Sequence, residues 1–245
     1  MWPWYRSAGG TRLPLRSSWK ISVVLHVPSS DRVTRIIAHP RKPGRYAIDV
    51  DGKQFAVVTA DALAATKATV GVVVDDRLAA NLSEANELTA AYDRALNLLT
   101  FRARSARELR RRLVQKGVTA ERADRVITKL REMGLIDDAD FARQLTRSKM
   151  SAGASRRRVH QELFKRGVPR EVADEAVEQV VTEDGLSDAD SIERIARKKW
   201  RSLAAMDEVT RRRRLFAFLS RRGFDSDDVS RVMRQLAGEA AEEGE

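Results

Sequence analysis

The chain has 245 residues, with 46 lysines and arginines against 35 acidic residues, and a formal net charge of +11. It contains no cysteine, which excludes disulfides, thiolate metal sites and a cysteine nucleophile and is compatible with a reducing cytoplasm. The positive charge predicts an acidic partner, such as nucleic acid or an acidic protein groove, with a solvated basic surface as the alternative.

The first segment, residues 1–30, mixes tryptophan, glycine, proline and arginine without a sustained period. We expect a mobile tail here, or a start codon assigned too far upstream. Its aromatic and basic residues could stack on bases, but disorder is the simpler interpretation. The apolar run at 21–27 is too short to span a bilayer, and no small-residue cleavage site follows it, so a signal peptide is rejected.

Residues 31–92 predict a small β-rich module with a connecting helix. Strands are predicted over 33–38, 46–50 and 54–58, and the Asp51-Gly52 pair between the last two is typical of a two-residue hairpin turn. A short helix from Thr59, an extended stretch over 70–74 and a helix over 75–82 follow. A separate helix is predicted over 84–102.

Three equivalent glycines mark a repeated helical unit in the remaining two-thirds of the chain. Gly117, Gly167 and Gly223 each follow a cation, precede an apolar residue and lie four residues after a leucine. This spacing is typical of a helix that ends at a left-handed glycine. A second helix with apolar residues at i, i+3, i+4 and i+7 follows each glycine. The pattern predicts a mainly α-helical protein of tandem three-helix repeats in an elongated, curved array, a class that typically binds along an extended surface.

The repeats are predicted at residues 93–150, 151–206 and 207–238, followed by an acidic tail at 239–245. Asp137 and Ser187 begin similar segments and suit the N-caps of a third helix in the first two repeats. The last repeat lacks this helix, so a partial terminal unit is expected to close the array. Ser105 and Glu108 have the spacing of a capping box at the start of the first helix of repeat one.

Positive charge is concentrated on the first helix of each repeat, over 102–116, 155–166 and 211–222. These segments hold eighteen lysines and arginines against only Glu108 and Glu162. We interpret them as a stripe that follows phosphates or an acidic partner, although arginine stems that cover apolar surface are the alternative. The candidate interface residues are Arg104, Arg107, Arg111, Arg157, Arg158, Arg213 and Arg214.

Three of these arginines occupy the same position in the repeat. Arg107, Arg157 and Arg213 each lie two residues before an apolar residue of the buried stripe, roughly on the opposite side of their helix. The spacing therefore predicts an outward ladder that an acidic groove or a phosphate backbone could engage. Ordinary solvated arginines are the alternative.

The sequence offers no catalytic constellation. His26, His39 and His160 lack metal-site spacing, paired carboxylates fall at helix starts where capping explains them, and no GxxxxGK[ST] loop is present. The spacing of Trp200 favours a core position over base stacking. We expect no enzymatic activity, no cofactor and no metal.

Two segments resemble the signature of the RecX family, bacterial regulators of the RecA recombinase. Residues 95–105 read ALNLLTFRARS and lead into Glu108-Leu109 and residues 113–117, and residues 130–142 read LREMGLIDDADFA. The resemblance covers about residues 31–236, including the β-rich N-terminal extension of many members. The chain departs from the family in residues 1–30, which have no counterpart, and in Ala152-Gly-Ala-Ser, where the family usually has a Gly-Pro-like turn.

The resemblance implies a non-catalytic, cytoplasmic regulator, expected to be monomeric, that binds the groove of the RecA–single-stranded DNA filament. It would modulate, and is expected to inhibit, RecA ATPase, coprotease and strand-exchange activities in homologous recombination and SOS DNA repair. The alternative is a sequence-tolerant DNA-binding helical repeat protein that acts independently of RecA. Against base-specific recognition, no repeat shows a distinct set of Asn, Gln and Arg suited to base edges.

Overall fold

A computed structural model describes the backbone of residues 31–242 and the side chains of residues 31–238. The expectations for residues 1–30 therefore lie outside the described residues. The chain divides into two compact parts, at residues 85 and 86. The described elements are, in chain order, β1 (Val33–Ala38), β2 (Arg45–Val50), β3 (Lys53–Thr59), α1 (Ala60–Thr66), α2 (Asp76–Phe101), α3 (Ala106–Gln115), α4 (Ala120–Glu132), α5 (Asp138–Ser151), α6 (Arg156–Lys165), α7 (Arg170–Asp184), α8 (Asp188–Ser202), α9 (Glu208–Arg221) and α10 (Ser226–Glu242).

The N-terminal part contains the predicted sheet, with β1, β2 and β3 antiparallel and in sequence order. Val50 pairs with Lys53 across the predicted hairpin turn. Asp51 and Gly52 have φ values of +47° and +75°, the conformation that a type I′ turn requires and that this residue pair tolerates. Ile48 and Val58 are fully buried on one face, in a cluster that also includes Leu82 at the start of α2.

The helix after the sheet is longer than the sequence predicts. Two helices, over 75–82 and 84–102, were expected. The structure has a single helix, α2, with Leu82 fully buried. A serine inside a helix costs only a few tenths of a kcal/mol relative to better helix formers, so the buried apolar residues on both sides of Ser83 decide the outcome.

The C-terminal part contains three hydrophobic cores, and each is built by three helices. We name these groups helical unit 1 (the end of α2 with α3 and α4), helical unit 2 (α5, α6 and α7) and helical unit 3 (α8, α9 and α10). Trp200 is buried in the third core, as its spacing predicts. The mainly helical class, with tandem three-helix units that follow a small sheet in the chain, is confirmed.

The grouping into cores shifts the predicted repeats by one helix. The repeated glycine pattern places a glycine-terminated helix first in each repeat, which makes α5 and α8 the last helices of repeats one and two. In the structure, α5 packs with α6 and α7, and α8 packs with α9 and α10. The last unit therefore has three helices, because α8 supplies the helix that the predicted third repeat lacks. Helix α10 also continues to Glu242, so residues 239–242 of the predicted acidic tail are helical.

Candidate functional site

The starts of the basic helices α3 and α6 are each held by a carboxylate from the following unit. In helical unit 1, the backbone N–H of Ala106 in α3 donates to Oδ1 of Asp138, at 2.8 Å. In helical unit 2, the N–H of Arg156 in α6 donates to Oδ1 of Asp188, at 3.1 Å. The two pairs are offset by fifty residues, so the same link recurs at the junction of units 1 and 2 (junction 1) and at that of units 2 and 3 (junction 2).

A serine at each junction connects the start of one basic helix to the end of the next. Ser105 Oγ accepts from Glu108 N–H at 3.1 Å and donates to the carbonyl of Arg166 at the end of α6. At junction 2, Ser155 Oγ accepts from Arg158 N–H, and Ser155 N–H donates to the carbonyl of Arg222 at 3.0 Å. The positive end of one helix dipole thus meets the negative end of the next, which is a favourable arrangement.

Two of the repeated glycines allow this close approach. Gly167 and Gly223 have φ values of +77° and +91°. A Cβ built on Gly167 would lie 2.5 Å from Cδ of Arg107, and one on Gly223 would lie 2.6 Å from Oγ of Ser155. Gly117, with φ of +86°, would meet nothing within 4 Å. Gly117 therefore only ends a helix. Gly167 and Gly223 end helices too, and they also leave room for the close contacts at the junctions.

Glu108 is the centre of a cation cluster at junction 1. It is only 4% exposed, and its carboxylate accepts from Arg104 at 2.7 Å, from Arg166 at 3.4 Å and from Arg102. Burial disfavours its charged form, but the guanidinium groups of Arg102 and Arg104 outweigh burial and hold the pKa of Glu108 below its usual value of 4.5. Only the serine half of the predicted capping box is thus present, because the Glu108 carboxylate binds arginines, one of them in helical unit 2.

The candidate arginines fall into two groups. Arg104 is 10% exposed and binds Glu108 and the Leu98 carbonyl, and Arg158 pairs with Glu162 at 3.0 Å. Arg157 donates to the carbonyls of Gly223 at 3.0 Å and Phe224 at 3.1 Å. These three arginines make contacts within the fold. Arg157 is exposed, as the ladder prediction requires, but its guanidinium already donates to two backbone carbonyls. The other candidates, Arg107, Arg111, Arg213 and Arg214, are exposed.

A cleft of about 500 Å³ lies between α3 and the end of α6, and we name it the α3–α6 cleft. Two predicted residues, Arg107 and Arg111, line it. Phe164 and Lys165, which lie on the opposite wall, are not among the candidate residues that the sequence indicates. Their sequence position next to Gly167 does not indicate a binding site, because the contact between α3 and α6 depends on the junction between the two units. The lining residues are Arg107, Glu108, Arg110, Arg111, Val114, Gln115, Phe164, Lys165, Arg166 and Gly167.

The described residues contain no group of three or more histidines and acidic residues that could hold a metal ion. His160 pairs with Asp174 at 3.3 Å on the surface of helical unit 2. Within the described range, no helix has the length and apolar character needed to cross a membrane.

Family models match all three helical units. The first, second and third three-helix domains of RecX match residues 91–130, 137–177 and 187–233, respectively. The matched ranges follow the three cores and have the same helix grouping. The chain belongs to the RecX family.

Relatives with the name "Regulatory protein RecX" agree with this assignment. The one from Pelodictyon phaeoclathratiforme is 36% identical over 65% of this chain and 97% of its own length. The one from Levilactobacillus brevis is 31% identical over 49% of this chain, and the match spans 46% of that relative, about half its length. The family members so named are regulatory proteins.

Solved RecX structures share the fold. A crystal structure described as regulatory protein RecX has a TM-score of 0.65 and 25% identity, and covers 82% of this chain and 98% of its own. RecX from Lactobacillus salivarius has a TM-score of 0.51 at 19% identity, over 62% of this chain, and supports the fold alone.

Proposed function

We propose that this RecX-family protein is a non-catalytic regulator that binds the RecA–single-stranded DNA filament and modulates, in the inhibitory direction, RecA ATPase, coprotease and strand-exchange activities. The family resemblance supplies the partner, and one structural observation supports the mode of binding. Basic helices occupy the same place in all three helical units, and their exposed arginines include Arg107 and Arg111 on α3 and Arg213 and Arg214 on α9. We further propose that it acts as a monomer in the cytoplasm, in recombination and SOS repair.

The charge distribution suits a polyanionic surface. Guanidinium groups bind phosphate and carboxylate oxygens through paired N–H donors. Arginines on successive units can contact successive phosphates, or acidic side chains, along a filament groove. Binding of this kind is expected to weaken steeply with salt, because each phosphate contact releases counterions.

The decisive experiment measures the single-stranded-DNA-dependent ATPase of the cognate RecA with increasing amounts of this protein. A dose-dependent fall in turnover, with no ATP hydrolysis by the protein alone, supports the proposal. Unchanged RecA turnover at saturating protein contradicts it.

The second candidate function is sequence-tolerant DNA binding independent of RecA, which the concentration of cations on three helices favours. Co-sedimentation with bare single-stranded DNA, with RecA and with the assembled filament separates the two. Preferential recovery with the filament supports the regulator, and equal recovery with bare DNA and filament supports the alternative.

A further inference from the structure

The α3–α6 cleft has more cations than carboxylates in its lining, and not all of these cations are paired within the protein. Its lining has five cations and one carboxylate, Glu108. Arg166 pairs with Glu108, and Arg110 pairs with Asp124. Arg107 and Arg111 have no hydrogen bond or ion pair with any described residue, so their guanidinium groups are available to a ligand.

An exposed aromatic ring completes the cleft. Phe164 is 78% exposed, and Val114 on the facing helix is 41% exposed. Burial of these apolar groups by a ligand would be favourable, because it removes apolar surface from water. A phenyl ring beside arginines offers a stacking surface next to phosphate-binding groups, the combination with which proteins hold unpaired nucleotides.

Junction 2 is an internal comparison, because the same positions there have different chemistry. Arg157, the equivalent of Arg107, donates both its hydrogen bonds to the carbonyls of Gly223 and Phe224. Gln161 replaces Arg111, and Ser220 replaces Phe164. The fold therefore does not require the free arginines or the exposed ring at junction 1, since junction 2 forms without them.

We infer that the α3–α6 cleft is a binding site for single-stranded nucleic acid, with phosphates on Arg107 and Arg111 and one base stacked on Phe164. The identity of the strand as single-stranded DNA rests on the proposed function. The site adds to that function the residues that would bind the strand. Arg107 and Arg111 are four residues apart on α3, so they are neighbours on one face and can contact adjacent phosphates. A duplex is a poorer occupant because its bases are stacked on each other and leave no face for the ring.

Fluorescence anisotropy with labelled oligo(dT) and no RecA tests the site directly. Phe164→Ala is expected to weaken binding roughly fivefold to a hundredfold, the range of a lost base stack. Arg111→Gln is expected to reduce the slope of log affinity against log salt by about 0.7, the share of one phosphate contact on a single strand. Phe164→Trp is expected to keep the affinity and to add tryptophan emission that the oligonucleotide quenches.

Matched controls are Phe101→Ala, since Phe101 is 83% exposed and lies outside the cleft, and Lys129→Gln on α4. Circular dichroism melts verify that all variants fold. Wild-type affinity in Phe164→Ala and Arg111→Gln, or no oligonucleotide binding by the wild type, overturns the site. Displacement of the oligonucleotide by polyglutamate at equal charge concentration also overturns it, and indicates an acidic protein segment as the occupant. Because RecA is absent, these outcomes are independent of the ATPase test.

Discussion

The carboxylate of Asp138 accepts the first backbone N–H of α3, that of Ala106, across the boundary between two hydrophobic cores. The same carboxylate pairs with Arg131 at 2.9 Å. One side chain thus satisfies an N–H that the helix cannot satisfy itself and connects α4 to α5.

Replacement of Asp138 by alanine is expected to destabilise junction 1. The loss of a cap-type hydrogen bond to a charged acceptor corresponds to about 1–2 kcal/mol. Asp138→Asn keeps an acceptor oxygen, so a smaller loss is expected. Amide hydrogen exchange at Ala106 is the measurement, and it should accelerate in Asp138→Ala. Glu175→Ala, at an exposed position of α7, is the control; equal protection in all three variants would refute the link.

The three repeated glycines should differ in their tolerance of a side chain. Gly117→Ala adds only the strain of a left-handed residue, about 1 kcal/mol, because nothing lies within 4 Å of its Cβ. Gly223→Ala adds a contact with Ser155 and a 3.2 Å approach to the backbone nitrogen of Arg158. We expect a clearly larger fall in melting temperature for Gly223→Ala. Similar melting temperatures for the two variants would show that junction 2 accommodates the added methyl group without a loss of stability.

Glu108 should give the protein a specific sensitivity to acid. Its pKa is lower in the folded state than the usual 4.5, so its contribution to stability is fully present above the unfolded-state value. That contribution is lost as the pH falls through the folded-state value. Urea unfolding between pH 7 and pH 3 should show a steeper loss below about pH 4.5 in the wild type than in Glu108→Gln.

Glu108→Gln should also be less stable than the wild type at pH 7, because Arg102, Arg104 and Arg166 lose their shared counter-ion. Glu132→Gln, at an exposed position of α4, should match the wild type at both pH values. A Glu108→Gln variant with the acid profile of the wild type would assign the acid sensitivity to other carboxylates.

Arg157 and Arg213 occupy equivalent positions in the repeat, and we expect Arg157 to have a structural role and Arg213 to be a surface residue. Arg157→Gln removes two charge-assisted hydrogen bonds to the carbonyls of Gly223 and Phe224, and a loss of about 1–3 kcal/mol is expected. Arg213→Gln, at an exposed position of α9, should change the free energy of unfolding by no more than about 0.5 kcal/mol. Chemical denaturation monitored by circular dichroism compares them. A larger loss for Arg213→Gln would reverse the assignment.

Local chemistry made the strands, the hairpin and most helix ends predictable from sequence. Asp51-Gly52 specifies its turn by itself, and Ser187 caps a helix three residues away, at Asp190. The grouping of helices was not predictable in the same way, because a repeat has the same period wherever its first residue is placed. Only the side-chain packing shows that α5 belongs with α6 and not with α3.

The candidate site was predictable only in part for a related reason. The count of arginines on α3, α6 and α9 predicted a basic surface, but a residue's position on its helix cannot show which arginines the fold already uses. The partner of Arg157 lies 66 residues away, and the ring of Phe164 faces a helix about fifty residues before it in the chain. Both relationships depend on the junctions, which sequence periodicity does not describe.

The direction of the junction contacts has a consequence for protein synthesis. A ribosome releases helical unit 1 before the residues that complete it. Until Asp138 and Arg166 have left the exit tunnel, the N–H of Ala106 and the hydroxyl of Ser105 lack their folded-state partners, and α6 depends in the same way on Asp188 and Arg222. Helical units 1 and 2 therefore reach their final stability only when the next unit is made, so the order of translation favours stepwise consolidation from the N-terminus.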